Sequence, residues 1–98
     1  MPLEEYHDEE RWKRFSASYG MNLLSEADRE RLRELGFTAP EQLETLAVAV
    51  TYFDLDFDYV RRWLDAKIEV LDRKTPRECL EDAKLIKRLR VALTRMPC

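Results

Sequence analysis

A chain of 98 residues, 45% hydrophobic and 38% charged, with two glycines and four prolines, describes one folded domain. It excludes a disordered tail, which cannot bury this much apolar surface, and a many-turned β fold, which needs more turn residues. No apolar run approaches the length of a membrane span; the longest is Leu46–Val50.

The N-terminus carries Glu4, Glu5, Asp8, Glu9 and Glu10. That is the wrong sign for a secretory signal or transit peptide, so a cytoplasmic protein with no membrane partner is expected. Cys79 and Cys98 have no metal spacing and read as free thiols in a reducing compartment. The net charge of −3 hides an asymmetry: residues 25–60 hold three basic and nine acidic groups, residues 61–98 eleven basic and six acidic. Either the basic end meets a partner or the two halves complement each other.

Residues 1–20 read as an N-terminal helical arm, with helix over 3–19. Glu9–Lys13 and Glu10–Arg14 are i,i+4 pairs in the favourable order, and Trp12, Phe15 and Tyr19 form an apolar stripe. This helix either packs on its own domain or docks on a second subunit. Residues 21–98 read as the helical domain proper. Ser25 and Asp28 form a capping box for the next helix, which Gly36 ends, with Phe37 folding back on Leu32 in a Schellman motif.

Thr38 or Ala39 caps a third helix, Pro40 opens it and Glu41 completes a box. That helix runs to about Phe53, and its later part, Leu46–Phe53, is apolar nearly all round, which places it at the centre of the domain or partly inside an oligomer interface. Its β-branched and aromatic residues also suit a strand, but Ile68-Glu69-Val70 is too short to pair with it as a sheet. Asp54, Asp56 and Asp58 crowd the start of a helix over about 57–66 and complement its dipole. They lack the glycine and distal glutamate of a calcium loop. Phe57, Val60, Trp63 and Leu64 face inward.

An irregular segment follows, plugged by Ile68 and Leu71. Thr75-Pro76 then opens a short helix over 76–81, with Glu78 closing a capping box. The last helix runs over about 83–96. It gathers Leu85, Ile86, Leu89, Ala92, Leu93 and Met96 on one face, and Lys84, Lys87, Arg88 and Arg95 on the other. The expected fold is all-α, a small single-domain bundle of about five to six helices.

The pattern carries little catalytic chemistry. His7 is the only histidine and lies in a surface helix. There is no glycine-rich phosphate loop, no zinc-spaced cluster, and no carboxylate pair set apart as a general acid. Neither enzymatic activity nor a cofactor is expected. The spacing over Ser25–Phe53 fits a helix-turn-helix, but the would-be reading helix carries Glu41 and Glu44 and no lysine or arginine. Such a helix repels a phosphate backbone, so nucleic-acid binding by the chain on its own is not expected.

One stretch has a family signature. Trp63-Leu64, then Leu71, then Thr75-Pro76, then Leu80, resembles the C-terminal toxin-binding domain of Xre/MbcA/ParS-type antitoxins, over about residues 57–96. The chain departs from that pattern with Lys67-Ile68 before the central leucine, where the family often has Pro-Asn, and with Asp72-Arg73 after it, where the family often has glycine. The resemblance implies a non-catalytic antitoxin that binds and neutralises a cognate RES-type, NAD-consuming toxin by covering its active-site entrance, and a tendency to form homodimers. On that reading Trp63, Leu71, Pro76 and Leu80 are scaffold. The partner would meet Asp72, Arg73, Lys74 and Arg77 in the loop, and Lys84, Lys87, Arg88, Arg95 and Met96 on the last helix. Two other readings remain: a helical DNA-binding regulator using the basic last helix, and a stand-alone dimeric adaptor.

Overall fold

The computed structural model describes residues 3–95, which form six α-helices and three short 3-10 turns with no strand among them. Their radius of gyration, 12.3 Å, is close to the roughly 13 Å of a packed 100-residue domain. The apolar run lies at the centre, as expected. It belongs to α3 (Pro40–Tyr52), in which every residue from Thr45 to Val50 is buried. A helix apolar on all sides must be packed on all sides. Accordingly α1 (Glu9–Tyr19), α2 (Glu26–Arg33), α4 (Phe57–Trp63) and α6 (Ala83–Arg95) all contact it.

The helix boundaries follow local chemistry. Ser25 and Asp28 close the capping box expected at α2. That helix ends through two tight turns, Leu35 N–H to Leu32 O and Gly36 N–H to Arg33 O, with Gly36 at φ 99°, where a side chain would be strained. Before α3 the cap is Ala39, whose N–H donates to Gln42 Oε1 at 3.3 Å. The box partner is therefore Gln42 rather than Glu41, because only the third helical position reaches back over the first turn. Asp56 caps α4 by accepting from Tyr59 N–H, while Asp54 and Leu55 turn the chain at φ 57° and 62°.

The N-terminal stretch differs from the single helix expected. It is a 3-10 turn, Leu3–Tyr6, followed by α1. The break comes at Asp8, whose carboxylate accepts from the N–H groups of Glu10 and Arg11 and so starts α1 afresh. Nor does this segment project as an arm. Trp12 is 2% exposed within the core, and Leu3–Tyr6 lies along α6.

A polar clamp joins three helices around Trp12. Its indole N–H donates to Glu44 Oε1 at 2.6 Å, and the Arg90 guanidinium stacks 4.9 Å from its ring centroid. Arg90, itself buried, donates to Thr45 Oγ1 at 3.0 Å and to Glu41 O at 3.3 Å. The charge is accommodated inside because oxygen acceptors and an aromatic face surround it.

Candidate partner-binding site

Residues 64–77 form a closed structural unit. Ile68 N–H donates to Lys74 O and Arg73 N–H returns to Ile68 O, pinching the segment shut around the 3-10 turn Glu69–Leu71. Asp72 and Arg73 make the reversal at φ 56° and 63°, left-handed values that cost energy in residues with side chains. These are the positions where the resemblance expects glycine. Leu71, 1% exposed, plugs the loop into the core.

Arg77 N–H donates to Leu64 O at 3.0 Å, tying the start of α5 (Pro76–Leu80) to the end of α4. Its guanidinium meets Asp65 with Nε 2.9 Å from Oδ1, which holds the Asp65 carboxyl below its ordinary range. Thr75 and Glu78 close the expected box, each accepting from the other's N–H.

The charged residues expected at a partner surface have different environments. Arg73 and Lys84 are open to solvent, with side chains 80% and 73% exposed, and Lys87 is exposed on the same helix as Lys84. Arg73 is paired loosely with Glu69, and Lys74 is half-buried. Arg77 is partly covered and committed to Asp65, with the Phe37 ring beneath it. Arg95 lies 4.8 Å from the Tyr6 ring centroid. Met96 lies outside the described residues.

Arg88 is the clear correction. It is 8% exposed and not part of an open basic face. Its Nε and Nη2 donate to the two Glu4 oxygens at 2.7 and 3.2 Å, and its Nη1 donates to Asp72 at 3.0 Å. The Arg88 hydrogen bonds hold the Glu4 carboxyl down to about 2. Helical periodicity assigns Arg88 to the polar face correctly, but that face is covered by the N-terminal turn.

The same loop borders a surface feature that the sequence reading missed. A groove of about 240 Å³ runs between α4, the turn Glu69–Leu71 and α6. Phe53, Tyr59 and Trp63 form one wall, Ile68 and Val70 the other, and Leu89, Ala92 and Leu93 the floor. The wall is a ring cluster: Phe53 lies 4.8 Å from Tyr59 and 5.6 Å from Trp63 between centroids. Val70 is 62% exposed and Tyr59 44%, so both present apolar surface at the rim. The sequence held one signal, a valine and a tyrosine that no helical stripe absorbed.

A larger cavity, about 530 Å³, opens between α1 and α3. Among the described residues the one acid lining it, Glu44, is already bonded to Trp12. Cys79 is wholly buried, and burial pushes its thiol up to about 11, where it is a poor nucleophile and a poor ligand. Among the described residues no three His, Cys, Asp or Glu side chains converge as a metal site, and no helix is long and apolar enough to cross a membrane. No family model, curated protein or solved structure matches the chain.

Proposed function

We propose that the chain is a non-catalytic, antitoxin-like binding protein that engages a cognate RES-type toxin through the region 57–96. One observation carries the reading: the resemblance residues other than Trp63, which lines the groove instead, act together as the frame of a presenting surface. Leu64, Leu71, Pro76 and Leu80 are buried, and the Arg77–Leu64 and Ile68–Lys74 hydrogen bonds fix the loop between them. Beside that frame lie an aromatic-walled groove and, on the loop, the exposed cation Arg73. An apolar centre with a charged rim is the usual anatomy of a protein–protein interface, and a fixed loop loses little entropy on binding.

Within this reading the partner contacts are redistributed. Tyr59, Trp63 and Val70 join Arg73, Lys74, Lys84 and Lys87, while Arg88 is covered by Glu4 and Arg77 is a brace for the loop. The test is co-expression with the product of a neighbouring gene, followed by pull-down. Val70→Asp and Arg73→Glu alter exposed positions, so the variants should keep wild-type helicity. Both are expected to lose capture of the partner, Val70→Asp the more completely. Undiminished capture by both would remove this surface from the interface and sink the reading. Retention of the chain on duplex DNA with steep salt dependence would instead favour a nucleic-acid regulator.

A further inference from the structure

We infer that the turn Leu3–Tyr6 is an internal occupant of a partner site: the face of α6 bearing Lys84, Arg88 and Arg95 takes an acidic segment of a protein partner, and the chain's own Glu4 and Tyr6 hold that face until it is displaced. The inference deepens the antitoxin-like reading, on which it rests only for the partner being a protein.

The turn and α6 already display the recognition chemistry. Glu4 is gripped in the two-point geometry that a guanidinium offers a carboxylate, with Nε–Oε1 2.7 Å and Nη2–Oε2 3.2 Å, and Lys84 Nζ adds a second positive charge 3.7 Å from Oε2. Two residues on, the Tyr6 ring lies under the Arg95 guanidinium at 4.8 Å. Lys84, Arg88 and Arg95 are one and then two turns apart on α6, so they read an acid and then an aromatic along a strip about 16 Å long. A strip spaced this way fits a short peptide better than a flat surface.

The cover is also built to leave. It is a single four-residue turn whose Glu5 and Tyr6 are exposed, and its ion pairs to α6 all run through the one carboxylate of Glu4. Another carboxylate satisfies the same guanidinium in the same two-point geometry. The start of α1 does not depend on the turn, because Asp8 caps that helix from within. Asp72, with its side chain 79% exposed, keeps its bond to Arg88 when Glu4 departs, so the guanidinium is never without an acceptor. The acidic excess of the N-terminal residues and the basic excess of the last helix are thus two halves of one exchangeable contact.

The test uses the full chain and a synthetic peptide, Leu-Glu-Glu-Tyr-His-Asp, corresponding to residues 3–8. Amide shifts of α6 are followed during titration of wild type, Glu4→Gln and Tyr6→Ala, each first checked for native helicity. Because an occupied site weakens apparent affinity by the fraction of open molecules, Glu4→Gln should bind at least about tenfold more tightly than wild type. Adding Arg95→Glu to Glu4→Gln should abolish the shifts, and added salt should weaken them. Tyr6→Ala, which opens the same cover from its exposed end, supplies the comparison if Glu4→Gln loses helicity. Equal binding to wild type and the opened variants, or none to either variant, overturns the inference. Self-association of Glu4→Gln without peptide binding assigns the face to a second copy of the chain and overturns it too. None of these outcomes touches the groove, so the pull-down with Val70→Asp stands or falls separately.

Discussion

Arginines of one helix have different roles here because their acceptors differ. Arg88 meets carboxylates, Arg90 meets a hydroxyl, a carbonyl and an indole, and Arg95 meets a tyrosine ring at the surface. Lys87 lies beside them, exposed. Arg90→Ala should therefore destabilise the fold by about 1.5–3 kcal/mol, the range for losing hydrogen bonds to a charged group. Lys87→Ala should stay within about 0.5 kcal/mol of wild type. Paired urea titrations measure both, and equal effects would contradict the clamp. Cys79 makes a further prediction. Its folded value, about 11, is raised above the ordinary 9.0. As pH rises past 9 the unfolded chain loses this proton while the folded chain keeps it, so stability should fall between about pH 9 and 11. In a Cys98→Ser background, Cys79→Ala should flatten that decline, and a thiol reagent should modify native Cys79 far more slowly than unfolded chain.

At the scale of elements, what the sequence makes legible is whatever is local. The boxes at Ser25 and Thr75, the acidic start of α4 at Asp56 and the stop at Gly36 each involve residues a few positions apart, and each occurs. The burial of α3 was equally readable, because a helix apolar all round must be packed on all sides. Contacts made between elements were not legible. Nothing in the spacing distinguishes Arg88 from Lys87 until the turn Leu3–Tyr6 is laid over one of them. The groove arises only when α4, the plugged loop and α6 are brought together. The loop itself gives the sharpest test of the local account. Thr75→Ala removes the cap on α5 and should cost about 1 kcal/mol. Leu71→Ala empties a fully buried site and should cost about 2–5 kcal/mol. A lowered denaturation midpoint with unchanged slope checks each, and a Leu71→Ala cost below that of Thr75→Ala would mean the plug does not anchor the loop.

For the whole molecule, the basic stretch 61–98 finds its acids chiefly in Glu4 and within itself rather than in the acidic stretch 25–60, and part of its charge stays exposed. Glu4 is spent on Arg88 and Lys84, and Asp65 on Arg77, whereas Arg73 faces outward on the loop and Lys87 outward from α6. The acid response follows from the first of these. Glu4 has its carboxyl lowered from 4.5 to about 2, so its contribution is complete above 4.5 and lost as pH falls toward 2. The N-terminal turn should detach from α6 over that interval, seen as loss of amide exchange protection confined to residues 3–7. The Glu4–Arg88 contact also spans 84 positions of the chain. A nascent chain cannot make it until nearly all of the described fold has been synthesised, and a refolding chain pays the entropy of closing that long loop before the contact returns anything. The Glu4–Arg88 contact is therefore expected to form late, after the rate-limiting barrier. Glu4→Gln should leave the refolding limb of a chevron unchanged and raise the unfolding limb, making this turn a determinant of how long the native state persists rather than how fast it forms.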